Sequence, residues 1–233
     1  VYKRQMKIRD DMTVILDDYM GDQDKIVRAA KISTKGSDVQ NLEKTDPGRF
    51  IRWLIREGHG SPFEHVVFSF YLEVPIFVSR QIVKYRHSSI NEHSGRYSEF
   101  QMEAWVPEPS RKLQQVGKTG DYEFTDLDGE LVEAGMDILK EHYHHAEKAY
   151  DLLLKNGWAK EAARAVIPTG AYSRMYVTMN LRSWLHFCAQ RATEAPSHGQ
   201  HEIAQVADRI LEILEEHVPD VVAQFKEGGY VSI

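Results

Sequence analysis

The densest group of side chains that could do chemistry lies in KYRHSSINEHSGRYS, residues 84–98. This stretch holds three cations, a carboxylate and an amide, and the predicted helix before it adds Arg80 and Gln81. Turn-forming and hydrogen-bonding residues dominate, which is typical of a loop. Composition alone therefore leaves two interpretations open, a ligand-binding loop and an ordinary solvated turn.

A second polar group lies on segments that predict helices. Arg182 and His186 are one helical turn apart and share a side, while the aromatic neighbours Trp184 and Phe187 disfavour full exposure. Several arginines that converge on one pocket would suit a small phosphorylated ligand, although surface arginines on an amphipathic helix remain the alternative. The group comprises Arg164, Asn180, Arg182, His186 and Arg191.

Composition excludes several classes of protein. The net charge of −6 does not give the basic surface that non-specific nucleic-acid binding requires. No apolar run approaches the roughly 18 residues of a membrane span, and the N-terminus lacks a signal-peptide pattern, so we expect a cytoplasmic protein without a membrane partner. The single Cys188 cannot form an internal disulfide, and a packing role is expected for it.

Hydrophobic spacing predicts alternating elements in the first part of the chain. Pro47 and Gly58 are expected to mark the beginning and end of one of the helices. The expected elements are a strand at 12–21, helices at 24–33 and 46–60, a strand at 66–75, a helix at 76–86 and a loop at 87–100.

The second half is predicted to be mainly helical. Three helical stretches are expected, at 131–156, 159–191 and 198–217. Before them, residues 111–130 carry three glycines and many charges without a sustained period, which indicates a loop excursion or a loose hairpin. We predict one α/β domain over residues 6–233 and interpret Val1–Gln5 as residues outside the fold.

The polar loop resembles a known family. NEHSGRYS is similar to the signature loop of the flavin-dependent thymidylate synthases, in which an arginine-rich triplet precedes the Asn-Glu pair. Other matching segments follow the same order along most of residues 12–217, apart from the central excursion. They are VRAAKIS, GHGSPFEH, PIFV followed by RQ, EAARAVIP, MNLRS before QR, and HGQHEI.

The resemblance implies both a fold and a reaction. The fold would be of the α+β type, with a central, mainly antiparallel sheet flanked by helices, in a homotetramer with active sites between subunits. The reaction would be the reductive methylation of dUMP to dTMP with bound FAD, with 5,10-methylenetetrahydrofolate as carbon donor and NADPH as reductant. No resident metal is implied.

The resemblance also implies roles for individual residues, with Arg191 as the catalytic group. The implied FAD contacts are Ser61, Lys84, Tyr85, Arg86, Glu92, Asn180, Arg182, His186 and His198. The implied dUMP contacts are Gln81, Lys84, Glu92, His93, Ser94, Gly95, Arg96, Arg164 and Arg191.

These residue types suit the reaction. Guanidinium groups at Arg96 and Arg164 match a phosphate dianion better than point charges do. Arg191 beside the pyrimidine would stabilise negative charge at N3 and O4, so that C5 becomes nucleophilic without attack by a cysteine on C6. Ser94 is expected to bind ligand, because no Ser-His-Asp arrangement surrounds it.

The chain departs from the family at three places. Lys84 and Tyr85 stand where the family commonly has Arg and His, and His186 stands where an Asn is common. Residues 192–197 make a longer link to His198 than is usual.

Two other functions remain open. A metal-dependent hydrolase is suggested by HYHH at 142–145 and HGQHE at 198–202, although no compact set of carboxylates accompanies these histidines. A non-catalytic flavin- or nucleotide-binding module is suggested by the altered Lys84-Tyr85 pair.

Overall fold

A computed structural model describes residues 6–41, 47–118 and 120–233. The prediction for Val1–Gln5 lies outside the described residues. The chain divides into two compact units that are interleaved along the sequence. The first unit contains the described residues up to Asp11, together with Val74–Ser79 and His93–Ser173; the second contains Met12–Glu73, Arg80–Glu92 and Arg174–Ile233.

The described residues form eight strands and eight α-helices. The strands are β1 (Lys7–Arg9), β2 (Thr13–Met20), β3 (Val67–Pro75), β4 (Ser89–Glu92), β5 (Glu103–Trp105), β6 (Gln114–Lys118), β7 (Asp121–Thr125) and β8 (Tyr172–Asn180). The helices are α1 (Gln23–Lys35), α2 (Pro47–Arg56), α3 (Ile76–Ile82), α4 (Gly129–Lys155), α5 (Lys160–Ala163), α6 (Leu181–Arg191), α7 (His201–His217) and α8 (Pro219–Glu227).

The second unit is built on a four-stranded sheet in the order β2–β3–β8–β4, in which β2 pairs antiparallel with β3 and β4 antiparallel with β8. Alternate residues of β3 point into the core, so that Phe68 and Phe70 are fully buried. Trp184 of α6 meets the Phe70 ring edge to face at 5.0 Å and donates its indole N–H to the Phe68 carbonyl at 3.1 Å. The sheet thereby fixes α6, the helix that ends at Arg191.

Helix α7 completes this core and lies within the helical stretch expected at 198–217. Ile203, Val206, Ile210 and Leu214 are all fully buried. Burial of a side chain of this size contributes roughly 1.5–3 kcal/mol, so tertiary packing rather than helix propensity stabilises α7.

The first unit has a separate, smaller core around α4. Strand β1 pairs parallel with β5, and β6 pairs antiparallel with β7 in an exposed hairpin. The hairpin confirms one of the two interpretations of residues 111–130, although Gly129 already begins α4. The core of this unit contains Met6, Met102, Ala104, Val106, Tyr143, Ala146 and Ala171.

Three predictions about secondary structure are wrong. The helix expected at 76–86 ends at Ile82, and part of the loop expected at 87–100 forms β4. The single helix expected at 159–191 is instead the short α5, strand β8 and helix α6.

The second half is mainly helical as predicted, except that strand β8 stands between α5 and α6 and lies inside the sheet. Its alternation, with Met175, Val177 and Met179 buried, gives a period of two rather than 3.6. The α+β class and the antiparallel pairing are confirmed. No helix in the described parts is long and apolar enough to cross a membrane.

Candidate active site

Arg191 lies in the last turn of α6, where its side chain meets Tyr85. Arg191 Nε donates to Tyr85 Oη at 3.0 Å, and the guanidinium carbon lies 5.9 Å from the centre of the Tyr85 ring. Tyr85 Oη in turn donates to Gln190 Oε1 at 3.1 Å. Burial raises the pKa of Tyr85, an effect that the neighbouring guanidinium only partly offsets. The hydroxyl therefore keeps its proton and can both accept and donate.

His186 extends the same network. Its Nε2 lies 3.3 Å from Gln190 Nε2, and its Nδ1 lies 2.9 Å from Ser232 Oγ. The imidazole also meets the Tyr85 ring edge to face, with 5.9 Å between centroids. Of the implied flavin set, Tyr85 contacts the implied catalytic arginine directly, and His186 is linked to it through Tyr85 and Gln190.

Asn180 and Arg182 begin the same helix. Asn180 Oδ1 accepts from the Ser183 main-chain N–H at 2.9 Å, which caps the N-terminus of α6. Arg182 pairs with Glu64 Oε1 at 2.6 Å and donates through Nε to the main-chain oxygen of Ile233 at 2.9 Å. Its guanidinium packs over Gly60, where a Cβ would lie 2.5 Å from Nε, so a larger residue would displace Arg182.

Gln81 and His198 border the link between α6 and α7. Gln81 Nε2 donates to Gln200 Oε1 at 2.6 Å, and Gln200 donates to Glu202 at 2.7 Å. His198 has a left-handed backbone with φ of 50°, and it precedes Gly199. A Cβ on Gly199 would lie 2.5 Å from the Arg191 carbonyl oxygen, so this link passes directly against the backbone of Arg191.

The second unit contains an open groove of about 470 Å³. Ser61 lies in its wall, together with the aromatic side chains of Phe50 and Trp53 and the imidazoles of His59 and His65. Lys84 and Arg86 are exposed beyond α3, and Glu92 is the last residue of β4.

In the first unit, Ser94, Gly95 and Arg96 form a turn. The Tyr97 N–H donates to the Ser94 carbonyl at 3.2 Å, and the Arg96 N–H lies 3.3 Å from Ser94 Oγ. A Cβ on Gly95 would be 3.4 Å from Arg164 Cδ, so the Arg164 side chain packs directly on this turn. The aliphatic part of Arg164 therefore lies against the turn that carries Arg96 and the Ser94 hydroxyl. Arginine and serine side chains on one turn are residue types that suit a phosphate.

Two further contacts shape this turn. Arg96 Nε donates to Glu161 Oε2 at 3.0 Å, and His93 Nε2 lies 2.7 Å from Ser98 Oγ. Arg164 follows α5 and lies in a 3₁₀ turn rather than within the predicted helix.

The sequence reasoning missed four partners of the implied site residues. They are Gln190, Gln200, Ser232 and Glu161. Gln190 and Gln200 lie within the matched segments QR and HGQHEI, which is a signal that could have identified them. Ser232 and Glu161 carry no such signal, because they meet the site only through folding.

The alternative reactions would depend on Cys188 or on the histidines. Cys188 is fully buried, and burial raises the pKa of its thiol well above the usual value. Within the residues that the structure describes, no group of three or more His, Cys, Asp or Glu side chains could hold a metal ion. The hydrolase alternative therefore has no metal site in these parts of the chain.

Comparison with known proteins identifies the family of the chain. Residues 15–220 match the family model described as "Thymidylate synthase complementing protein". The chain is 37% identical to a flavin-dependent thymidylate synthase of Streptomyces avermitilis over 96% of this chain and 94% of the relative, and 37% identical to one of Kosmotoga olearia over 97% and 95%.

A solved structure is also similar over nearly the whole chain. The UMP/dUMP methylase PolB from Streptomyces cacaoi, bound with 5-Br dUMP, superposes with a TM-score of 0.91 at 36% identity and covers 98% of this chain and 100% of that one. The same enzyme bound with 5-Br UMP gives a TM-score of 0.90. The chain belongs to the family of flavin-dependent thymidylate synthases.

Proposed function

We propose that this protein converts dUMP to dTMP by reductive methylation, with FAD as the bound flavin, 5,10-methylenetetrahydrofolate as carbon donor and NADPH as reductant. The observation that carries the proposal is the packing of Arg164 on the Ser94–Arg96 turn, in a chain whose relatives over almost its full length are flavin-dependent thymidylate synthases. The same turn and arginine are those that the sequence assigns to the nucleotide.

We assign one group of residues to the phosphate of dUMP and another group to the rest of the nucleotide. Arg96 and Arg164, with the hydroxyl of Ser94, bind the phosphate through charge-assisted hydrogen bonds. His93 and Gly95 shape this turn, while Gln81, Lys84 and Glu92 contact the rest of the nucleotide. Those three assignments rest on the family resemblance alone.

Arg191 stabilises the reacting pyrimidine. Its guanidinium is always charged and places N–H donors toward negative charge that develops at N3 and O4. Cys188 does not attack the ring, because its sulfur is buried and its thiol pKa is raised. Activation of the base therefore depends on hydrogen bonds to the pyrimidine.

The residues assigned to FAD fit a flavin in their chemistry. The groove at Ser61 combines aromatic walls with hydroxyl and imidazole donors, which suits a planar ring linked to phosphates. Asn180, Arg182 and His186 supply further polar groups along α6, and Tyr85 supplies an aromatic face. When bound, the flavin accepts hydride from the nicotinamide and delivers reducing equivalents to the transferred carbon.

The proposal includes an assembly and a location. The protein acts as a homotetramer with active sites between subunits, in the cytoplasm, as a single functional domain over residues 6–233. Size-exclusion chromatography with light scattering measures the mass of the assembly. A species of monomer mass that is fully active would contradict the tetramer.

One assay tests the reaction. The purified protein is reconstituted with FAD and incubated with dUMP, methylenetetrahydrofolate and NADPH, and the product is identified by mass spectrometry. We expect dTMP, and we expect none when any one component is omitted. Bound flavin without dTMP would instead support a non-catalytic flavin-binding protein.

UMP should be assayed in parallel. The structurally similar PolB is described as a UMP/dUMP methylase, so methylation of the ribonucleotide is the second candidate activity. We expect a higher kcat/KM for dUMP; a preference for UMP would reassign the substrate while retaining the site.

A further inference from the structure

Tyr85 stands where the family commonly has a histidine, and its hydroxyl makes two directed contacts. It lies 3.0 Å from Arg191 Nε and 3.1 Å from Gln190 Oε1. The direction of both hydrogen bonds is fixed, because a guanidinium only donates and a carbonyl oxygen only accepts. Tyr85 Oη therefore accepts from Arg191 and donates to Gln190.

The amide of Gln190 is oriented by a third contact. With its carbonyl oxygen toward Tyr85, its Nε2 lies 3.3 Å from His186 Nε2. A neutral imidazole that accepts at Nε2 carries its proton at Nδ1, and that atom lies 2.9 Å from Ser232 Oγ. All four contacts are thus compatible with one set of donors and acceptors.

The Tyr85 ring is itself held by packing. The Phe187 ring meets it edge to face with 5.0 Å between centroids, and His186 meets it at 5.9 Å. An arginine side chain has many rotamers, and holding it in one of them costs conformational entropy. Because Tyr85 Oη is a fixed acceptor for the N–H of Arg191 Nε, it offsets part of that cost. The terminal N–H groups of Arg191 are then left to face a ligand.

We propose that Tyr85 is a positioning residue for Arg191, and that Gln190 orients the Tyr85 hydroxyl. This inference rests on the proposed function, since it assumes that Arg191 acts on the pyrimidine. Tyr85 then contributes to turnover through the geometry of Arg191, in addition to any contact with the flavin.

The first test is Tyr85→Phe, which keeps the ring and its packing but removes the acceptor. We expect kcat to fall about 10- to 100-fold, as is typical when a catalytic group is misplaced by about 1 Å. The KM for dUMP and the affinity for FAD should change by less than about threefold, because interactions made mainly in the transition state affect kcat. Tyr122→Phe, an exposed tyrosine of β7, is the matched control and should leave kcat unchanged.

A second substitution at Tyr85 distinguishes the loss of the hydrogen-bond acceptor from a change in packing. Tyr85→His restores a ring nitrogen that can accept a hydrogen bond. Because the imidazole is shorter than the phenol and Arg191 must move to meet it, we expect recovery of part of the kcat that Tyr85→Phe loses. A kcat for Tyr85→His as low as that for Tyr85→Phe would contradict the role of the acceptor.

The second test is Gln190→Met, at an exposed position where folding should be preserved. We expect kcat to fall about threefold, within the range of one uncharged hydrogen bond. In the Tyr85→Phe background the same change should have almost no effect on kcat, because its partner hydroxyl is already absent. Equal effects in both backgrounds would show that Gln190 acts independently of Tyr85 and would overturn its assigned role.

The outcomes distinguish the inference from the proposed function. If the parent protein forms no dTMP, the proposed function fails. If the parent is active while Tyr85→Phe retains its kcat, or loses only FAD or dUMP affinity, the positioning role of Tyr85 is overturned and the proposed function stands.

Discussion

Arg96 is paired with a carboxylate at the turn proposed to bind phosphate, since its Nε lies 3.0 Å from Glu161 Oε2. Both side chains are about half exposed, at 52% and 57%. The pair is therefore weak, because exposed ion pairs typically contribute about 0.2–1 kcal/mol. A phosphate dianion at this turn must share Arg96 with Glu161 or displace it.

Glu161→Gln should tighten dUMP binding. Removing the competing charge frees the Arg96 guanidinium for the phosphate, and the strength of an exposed pair limits the gain in affinity to about two- to fivefold. Isothermal titration at fixed ionic strength measures it, with Glu123→Gln on the exposed hairpin as the control. Weaker binding by Glu161→Gln would show that the carboxylate supports the nucleotide site instead.

Arg191→Ala should abolish most turnover while the fold and bound flavin remain. Loss of one donor to charge that develops in the transition state typically costs about 10²- to 10³-fold in rate. Single-turnover formation of dTMP measures the loss, and flavin absorbance checks binding. Arg209→Ala, an exposed arginine of α7 paired with Glu212, is the matched control. Near-normal turnover by folded Arg191→Ala would remove the catalytic assignment.

Cys188→Ala should leave kcat almost unchanged. The thiol is fully buried and its closest polar contact is the Ala207 carbonyl at 3.7 Å, so it is not placed to attack a bound base. Thermal unfolding should show a loss of about 1 kcal/mol from the small cavity. Inactivity of a folded variant, or a covalent adduct between Cys188 and a fluorinated dUMP, would contradict the thiol-independent mechanism.

Gly199→Ala should lower both stability and kcat. Its new methyl group would lie 2.5 Å from the Arg191 carbonyl oxygen, so the backbone that carries Arg191 must shift. Overpacking of this kind costs about 1–3 kcal/mol. Gly135→Ala in α4 has open space around its Cβ and should instead stabilise by about 0.5–1 kcal/mol. Equal melting temperatures and activities for the two variants would contradict the close approach.

Lys84→Arg combined with Tyr85→His should be active and should bind FAD at least as tightly as the parent. The double variant restores the pair common in the family, and arginine adds a two-pronged donor that lysine lacks. Quenching of flavin fluorescence measures the affinity. If only the double variant binds FAD, the parent is not a working flavoenzyme.

The sequence predicts elements well where one period persists. Strand β3 and helix α7 follow their periods of two and 3.6, and both are found close to the expected bounds. Strand β8 was missed because it lies between two helical segments and its alternation includes Arg174 and Thr178. These polar residues bond across the sheet, to Glu73 at 3.0 Å and to Ser69 at 2.9 Å. Such tertiary partners override local pattern.

The candidate site was also predicted from the sequence only in part. Motifs identify Arg191 and the Ser94–Arg96 turn by residue type, but they do not give the partners of these groups. The contact between Arg191 and Tyr85 joins residues 106 positions apart, and no local spacing predicts it. The assigned ligand contacts remain predictions that the variants above test.

The position of β8 has a consequence for biosynthesis. It hydrogen-bonds to both β3 and β4 in the sheet, yet both of those strands leave the ribosome long before residues 172–180. At elongation rates of about 5–20 residues per second, the two strands wait for several seconds with unpaired edges. Exposed edges of this kind can pair with other nascent chains, so heterologous expression should give more soluble protein at low temperature or with chaperones that shield the first half.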